Sequence, residues 1–375
     1  MLLTFEGRDY DLHPGESVLD GMSRHGVRLP SACRAGICRA CLIRAVHGDP
    51  GDEAGRGLKP TWLAAGYFLA CLARPASDLA VTLAGPEVST SARVTGIRRL
   101  SPDVLGVTLR PERPVDFLPG QHLPLTTPDG LTRVYSSASL PAEVGRAGLD
   151  LHVRAYPGGA MGGWLERAGP GAAVTIGAPG GECCYLPGER SAPLLLVGTG
   201  TGIAPLMAIA RAALADDHTG PIALIHGAAD PDRRYAGIRL PNRIRRAARA
   251  RNARVWGGLA GGGRIAAMPG AVTWQTCVRS RGEDIVEAAT RTLAALTDRP
   301  GTARAYLCGG TGSVTRSRRA LFLAGLSLSD IYADQFSPAV GPAPDEGRRA
   351  VATAAGGESR PGRHPGGHRR GGRCP

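Results

Sequence analysis

The segment Ser31–Leu42 reads SACRAGICRACL and carries three cysteines, Cys33, Cys38 and Cys41, separated by four and by two residues. A cysteine that packs as a small buried hydrophobic residue is expected at helix or strand periodicity among other apolar side chains. These three instead lie in a short segment rich in Gly and Arg, with little apolar sequence around them. The pattern therefore predicts that the three thiols are metal ligands.

A fourth cysteine completes this set. Cys71 lies in GYFLACLARP, so the full pattern is C-x4-C-x2-C-x29-C. This is the plant-type spacing in which four thiolates hold a [2Fe–2S] cluster. Three ligands from one tight loop require a close backbone approach, which Gly36 allows through a positive φ. A structural zinc site is the main alternative, but structural zinc usually takes two paired CxxC elements, and here one pair is missing.

The length and the cysteine count exclude several protein classes. The chain has 375 residues, enough for two or three domains with separate cores. Its nine cysteines do not indicate a disulfide framework, because such frameworks belong to short secreted chains and the count is odd. The first residues, MLLTFEGRDYDLHPG, do not resemble a secretory signal. The most apolar stretch, 192–214, is interrupted by GTGTG and Arg211, so we expect a cytoplasmic protein without a membrane partner.

The net charge of +13 raises the question of a nucleic-acid partner. Most of the cations are arginines spread along the chain, with dense clusters at 239–254 and in the C-terminal tail. No zinc-finger or RNA-recognition signature accompanies them. We therefore expect no nucleic-acid partner and interpret the arginines as solvated faces, with an acidic protein partner as a second possibility.

The first part of the chain, residues 1–85, has an α+β pattern around the cysteine loop. It opens with two predicted strands, Leu2–Phe5 and Asp9–Leu12, joined by a hairpin turn at 6–8. A helix near Ser17–Arg24 follows, and the strand after Cys41 anchors the loop.

Composition divides the rest of the chain into three parts. Residues 89–188 contain many short β-like runs separated by Pro and Gly, which predict an antiparallel barrel or sandwich. Residues 190–338 alternate strands and helices, which predicts a doubly wound α/β domain with a parallel sheet. Residues 339–375 are rich in Gly, Pro and Arg and are expected to be disordered. Cys374, in this tail, is given no role.

The stretch RVYSSAS at 133–139 places an arginine, an aromatic residue and hydroxyls on one alternating segment. Taken alone, it fits an ordinary exposed strand equally well. With FLPGQHLPL before it, it resembles the R-x-Y-S-x-x-S/T flavin motif of the ferredoxin–NADP reductase superfamily. The resemblance implies that Arg133 holds the FAD diphosphate, Tyr135 packs on the isoalloxazine ring and Ser136 approaches its reactive N5.

The stretch HVRAYPGGAMGGWL at 152–165 resembles the next FAD-binding element of the same superfamily. Gly162 stands where that family has Ser, so one hydroxyl contact to FAD is absent. Backbone N–H groups at a helix N-terminus still provide donors for a diphosphate.

Two further stretches resemble the nicotinamide-binding elements of this superfamily. VGTGTGIAP at 197–205 lies between an apolar run and a helical run, and YLCGG at 306–310 has Gly310 where the family has Pro. The resemblance implies that Cys308 lies beside the nicotinamide C4 and that Phe336, in IYADQFSP, lies near the flavin. In full, it assigns cofactor contacts to Arg133, Tyr135, Ser136, Ser139, His152, Val153, Arg154, Gly159, Met161 and Gly162 for FAD, and to Gly198, Thr199, Gly200, Thr201, Gly202, Cys308 and Gly309 for the nicotinamide nucleotide.

Together these motifs resemble the modular ferredoxin-type reductases of oxygenases. The resemblance implies a β-grasp ferredoxin domain, an FAD-binding β-barrel and an NAD(P)-binding α/β domain. It also implies electron transfer from NAD(P)H through FAD and the [2Fe–2S] cluster to a terminal oxygenase component. Reduction of a sugar-deoxygenation enzyme is an alternative, as are a free-standing flavin or quinone reductase and a flavin-free redox-sensing module that keeps only the cluster.

The choice of nicotinamide nucleotide stays open from the residues. After the second predicted strand of the α/β part, Asp230 and Asp232 fit ribose hydroxyls, whereas Arg233 and Arg234 fit a 2′-phosphate. Reductases with this domain order generally use NADH, which is our expectation, with NADPH as the alternative.

Overall fold

A computed structural model describes residues 1–234 and 270–336, together with the strand Arg254–Gly257 and the buried side chains of Ile244 and Ala248. The predicted disordered tail 339–375, with Cys374, and most of the arginine cluster at 239–254 lie outside the described residues. Within the part that is described, no helix is long and apolar enough to cross a membrane.

The first sheet has five strands around one helix, as the β-grasp expectation requires. Its elements are β1 (Leu2–Phe5), β2 (Arg8–Asp11), α1 (Val18–Arg24), β3 (Leu42–His47), α2 (Pro60–Ala64), β4 (Tyr67–Leu69) and β5 (Leu79–Leu83). The strand order is β2-β1-β5-β3-β4, with β1 and β5 parallel and the other pairs antiparallel. Ser17 caps α1 by accepting a hydrogen bond from the Asp20 N–H.

The β1–β2 turn is tighter than the sequence suggests. Glu6 and Gly7 both have positive φ, 51° and 74°, and Phe5 pairs with Arg8. Positive φ at both central residues suits a two-residue hairpin, whose twist matches that of the strands. Arg8 therefore begins β2, one residue before the predicted strand.

The second sheet is antiparallel and closes on itself. It contains β6 (Thr90–Ser101), β7 (Val104–Pro111), β8 (His122–Thr126), β9 (Thr132–Ser136), α3 (Pro141–Ala147), β10 (Leu149–Arg154), α4 (Ala160–Ala168) and β11 (Ala173–Ile176). The order is β10-β7-β6-β11-β8-β9, and a bridge between Ser137 and Leu151 joins the two ends. The predicted antiparallel barrel is confirmed.

The third sheet is parallel, as predicted, with helices on both faces. Its elements are β12 (Leu194–Thr199), α5 (Ile203–Ala215), β13 (Ile222–Ala228), β14 (Arg254–Gly257), β15 (Ala271–Val278), α6 (Ile285–Leu296), β16 (Arg304–Gly310), α7 (Thr311–Leu323) and β17 (Ile331–Phe336). The order is β14-β15-β13-β12-β16-β17. β13 is buried along its whole length, which is typical of a central parallel strand covered on both faces.

Candidate cofactor sites

The cysteine loop owes its tight path to left-handed backbone. Arg34, Gly36 and Arg39 have φ of 54°, 77° and 57°. A Cβ on residue 36 would lie 2.5 Å from Cδ1 of Leu72. The expected positive φ and close approach at Gly36 are thus both present, and a larger residue there would push the loop away from the segment that carries Cys71.

The four thiols come together as two pairs. The Cys33 N–H donates to the Cys38 Sγ and the Cys38 N–H to the Cys33 Sγ, each at 3.4 Å. A hydrogen bond from Cys38 lowers the pKa of Cys33 to about 5 and correspondingly raises the pKa of Cys38. Cys41 and Cys71 form the second pair, in which Cys41 lowers the pKa of Cys71 to about 7 while its own pKa rises. Deprotonation is therefore easier for one thiol of each pair, and the thiolate is the form in which cysteine binds metal.

The pairing is compatible with a two-iron cluster, in which each iron takes two cysteine ligands. Within the described part of the chain, no group of three or more His, Cys, Asp or Glu side chains is arranged around a single metal ion. The Ala35 N–H also donates to the Cys33 Sγ at 3.4 Å, and such bonds to sulfur tune a cluster's potential.

Ser136, at the end of β9, contacts the third sheet. The Ser136 Oγ donates to Oδ2 of Asp334 at 3.2 Å, and Nδ1 of His122 lies 3.4 Å from the same oxygen. Asp334 on β17 is the register partner of Cys308 on β16. Ser136 and Cys308, predicted to lie beside the reacting atoms, are therefore brought together around Asp334.

The other residues of this motif have distinct environments. Arg133 is half-buried, and Nη1 of its guanidinium donates to the Thr132 carbonyl at 2.7 Å. Tyr135 packs against the barrel core, and burial raises its pKa. Ser139 is buried, and its Oγ accepts from the Asp150 N–H at 2.8 Å. Of these three residues, Arg133 is therefore the one best able to bind an anionic ligand.

The second FAD element joins β10 to α4. His152 is buried, and the side chains of Val153 and Met161 lie in the barrel core, so only the backbone of these two can face a ligand. Nη2 of Arg154 donates to Oδ2 of Asp103 at 2.9 Å, and its buried Nε has no partner among the described residues. That unpaired donor is free for an acceptor on a bound group.

Two glycines of this element let α4 approach β10 closely. A Cβ on Gly162 would lie 3.0 Å from the Cα of Ala155, and one on Gly159 would lie 3.0 Å from the Tyr156 carbonyl oxygen. The first turn of α4 therefore has little room for the serine of the related motif, which gives a packing reason for the glycine.

The glycine-rich turn after β12 packs directly on the end of β16. A Cβ on Gly202 would lie 2.2 Å from the Cys308 carbonyl oxygen, and one on Gly309, whose φ is 138°, would lie 2.1 Å from the Thr199 Oγ1. Gly198 and Gly200 complete the turn, and Gly200 has a φ of 55°. Thr201 is half-buried beside them. Backbone amides in such a turn at a helix N-terminus suit the phosphates of a dinucleotide.

Gly310 contributes a hydrogen bond that proline would lack. Its N–H donates to the Thr199 Oγ1 at 3.2 Å, whereas a proline has no N–H to donate. The substitution noted in the sequence therefore ties the end of β16 to the glycine-rich turn. Phe336, at the end of β17, is partly buried against the neighbouring core.

Sequence reasoning missed three residues of this region. Asp334 lies two residues before Phe336, and His122 lies eleven residues before Arg133. Both are in stretches quoted above, but neither was assigned a role, because their meeting depends on the contact between two sheets. Cys183 was not assigned either, yet its Sγ lies 3.3 Å from that of Cys308, both thiols being buried. Burial raises the pKa of Cys308 well above its usual range, so this thiol is neutral.

Comparison with known families supports this arrangement. Three family profiles match consecutive parts of the chain: a 2Fe-2S iron-sulfur cluster binding domain at 4–76, an oxidoreductase FAD-binding domain at 91–185 and an oxidoreductase NAD-binding domain at 196–255. They follow one another in the order of the three sheets, and the third covers the first half of the parallel sheet's segment.

Individual relatives are reductase components. A Ralstonia ferredoxin–NAD(P)+ reductase component of naphthalene 1,2-dioxygenase/salicylate 5-hydroxylase systems is 30% identical over 336 residues, which cover 86% of this chain and 94% of the relative. The reductase subunit of an aromatic O-demethylase from Amycolatopsis is 34% identical over 59% of this chain and 70% of its own length. The crystal structure of the Amycolatopsis reductase GcoB covers 90% of this chain and 99% of its own, with 26% identity and a TM-score of 0.56.

Proposed function

Because this chain belongs to the family of ferredoxin–NAD(P)+ reductase components of oxygenase systems, we propose that it is an NAD(P)H-dependent reductase that delivers electrons to a terminal oxygenase component. FAD accepts two electrons as a hydride, and a [2Fe–2S] cluster passes electrons on one at a time. One combined observation carries the proposal. The first domain holds two thiol pairs, and Ser136, Asp334 and Cys308 lie together where the second and third domains meet.

The cysteine pairs provide the ligands for the cluster. Cys33 and Cys38 would hold one iron and Cys41 and Cys71 the other, as their pairing suggests. The N–H donors directed at sulfur stabilise the negative charge that these ligands carry.

The residues between the barrel and the parallel sheet orient the nucleotides. Arg133 would hold the FAD diphosphate, Tyr135 would pack on the flavin ring, and the buried neutral Cys308 would lie against the nicotinamide. Asp334 holds the Ser136 hydroxyl through its Oδ2, so the serine presents its oxygen in one orientation. Because Nδ1 of His122 lies near Oδ2 of Asp334, a proton can pass between these two side chains at Oδ2.

The charges after β13 support NADH as the preferred nucleotide. Arg233 lies between two carboxylates, with Nη1 at 3.3 Å from Oδ2 of Asp103 and Nε at 3.4 Å from Oδ2 of Asp230. An arginine that already neutralises two carboxylates is a poor site for the 2′-phosphate of NADPH. Asp230 keeps about half of its side-chain surface exposed, 50%, and is available for ribose hydroxyls.

We place the domain boundaries at 1–85, 89–188 and 190–338. We place the protein in the cytoplasm, where the thiols stay reduced.

The Ralstonia and Amycolatopsis relatives are reductases of oxygenase and demethylase systems, which supports an oxygenase acceptor over a sugar-deoxygenation enzyme. The packing at Gly162 and the hydrogen bond of Gly310 give both glycines a local structural reason, which favours an FAD-binding reductase over a flavin-free module.

An anaerobic titration tests this function. The protein, assayed for iron and flavin, is titrated with NADH and separately with NADPH while absorbance is recorded. We expect about two irons and one FAD per chain and bleaching of both the flavin and the iron–sulfur bands, at lower concentration with NADH. Iron without any reduction by either nucleotide would exclude the reductase function and leave the redox-sensing module.

A further inference from the structure

The cysteine loop contacts the antiparallel barrel through the side chain of Arg39, which lies between Cys38 and Cys41. Its Nη1 donates to the Pro179 carbonyl oxygen at 2.6 Å, and its Nη2 donates to the Gly57 carbonyl oxygen at 3.0 Å. One guanidinium therefore binds the backbone of the barrel and the backbone of the first domain at the same time. The planar fork of arginine suits two acceptors in fixed directions, which a lysine cannot reproduce.

The backbone at Arg39 is unfavourable for this residue type. Its φ of 57° is left-handed, a conformation that is unfavourable for a residue with a Cβ and that glycine adopts freely. Backbone strain of this kind persists where the surroundings require the residue. The backbone path alone would favour glycine at position 39. We therefore attribute the arginine to the contacts that its side chain makes.

Arg34 offers an internal comparison. It lies in the same loop with nearly the same φ, 54°, but its side chain pairs with Asp20 of the first domain. Both arginines have left-handed backbone. They differ in their described hydrogen bonds, because those of Arg39 reach another domain and those of Arg34 do not.

The barrel segment that receives Arg39 leads towards the flavin serine. Gly180, next to Pro179, exchanges two backbone hydrogen bonds with His122, at 2.9 and 3.0 Å. Nδ1 of His122 approaches Asp334, which accepts the hydrogen bond of Ser136. On the other side, Ala178 is 3% exposed and packs in the core of the first domain. A continuous series of contacts thus runs from the cysteine loop to Ser136.

We propose that Arg39 is a positioning residue that fixes the cluster loop against the barrel and so sets the rate of electron transfer from flavin to cluster. The inference rests on the proposed function. The rate of electron transfer between two cofactors falls steeply as the distance between them grows. Loss of the Arg39 contact should therefore slow this transfer while leaving each site intact.

The test uses the full-length holoprotein and three variants, Arg39→Gly, Arg39→Lys and the matched control Arg34→Gly. Stopped-flow absorbance under anaerobic conditions follows two phases, flavin reduction by NADH and the subsequent cluster reduction. The cluster's electron paramagnetic resonance spectrum and the iron content are recorded for each variant. Protease sensitivity of the interdomain segment 84–89 is measured without NADH, as a readout independent of turnover.

We expect Arg39→Gly to slow cluster reduction by about tenfold or more, with flavin reduction and the cluster spectrum unchanged and cleavage at 84–89 faster. Arg39→Lys should have a smaller defect, and Arg34→Gly should match the wild type. Equal cluster-reduction rates in Arg39→Gly and wild type would overturn the proposal. If Arg39→Gly fails to hold iron, Arg39→Lys decides: a slowed rate supports the proposal and a wild-type rate overturns it. Failure of NADH to reduce flavin even in the wild type would instead refute the proposed function.

Discussion

At the scale of single residues, His226 makes the stability of the parallel sheet depend on pH. It is fully buried on β13, its Nε2 donates to the Gly200 carbonyl oxygen at 3.2 Å, and desolvation lowers its pKa from 6.5 to about 4. Because the unfolded chain binds the proton first, the stabilisation is complete above about pH 6.5 and is lost as the pH falls towards 4. The shift corresponds to about 3 kcal/mol.

The variant His226→Gln should flatten this dependence. We expect the urea midpoint of the third domain to fall less between pH 6.5 and pH 4.5 in the variant than in the wild type, even if its stability at pH 7 is lower. His218, whose pKa burial also lowers, contributes to the slope that remains. His47→Gln, at an exposed position of β3, is the control and should keep the wild-type profile. An unchanged slope in His226→Gln would show that this histidine titrates normally.

The limit of sequence reasoning is also visible at single residues. Cys33, Cys38, Cys41 and Cys71 could be predicted as ligands because ligand spacing is a local property of the chain. Asp334 could not, because an aspartate near the end of a strand has no distinguishing pattern. Its significance arises only when β17 brings its carboxylate within 3.2 Å of a serine hydroxyl from another domain.

At the scale of secondary-structure elements, the approach of α4 to β10 decides what residue 162 can be. A serine there would place its Cβ 3.0 Å from the Cα of Ala155, and overpacking of this kind costs about 1–3 kcal/mol. We therefore expect Gly162→Ser to weaken FAD binding despite restoring the hydroxyl of the related motif. Flavin fluorescence during titration of the apoprotein measures the affinity.

The neighbouring Gly163→Ser variant is the matched control, because a Cβ there meets only the flexible end of Arg167, at 3.2 Å. It should bind FAD as the wild type does. Tighter FAD binding by Gly162→Ser than by the wild type would mean that the hydroxyl contact outweighs the packing cost.

Elements were predictable where periodicity and turn chemistry agree. The strands of the barrel and the alternation of the parallel sheet follow from short β-like runs and from buried strands between helices, and both sheets form as expected. The β1–β2 turn differed by one residue because a two-residue hairpin and a three-residue one share the same Glu-Gly signal, and only the left-handed φ of Glu6 distinguishes them.

At the scale of the whole molecule, the order of the three domains follows from the order of the motifs, but their contacts do not. Arg39 and Pro179 are 140 residues apart, and Ser136 and Asp334 are 198 apart. Each contact joins a side chain to a surface that forms only after both domains have folded. Contacts of this type have no periodic signal in the sequence, so the relative placement of the cofactor sites required the structure.

Each of the three sheets also has a hydrophobic core built mainly from its own domain, although Ala178 of the barrel segment packs in the first core and Val104 in that of the parallel sheet. We therefore predict that loss of the cluster leaves the nicotinamide and flavin sites working. Cys41→Ser removes one ligand from the second thiol pair, so we expect iron to be lost and transfer to a protein acceptor to stop. Flavin reduction by NADH, and turnover with ferricyanide as a small acceptor, should persist. Cys277→Ser, at a buried cysteine of β15 outside these sites, should retain iron and both activities. Loss of NADH-driven flavin reduction in Cys41→Ser would contradict the arrangement in series, because the first domain would then be needed for a step assigned to the other two.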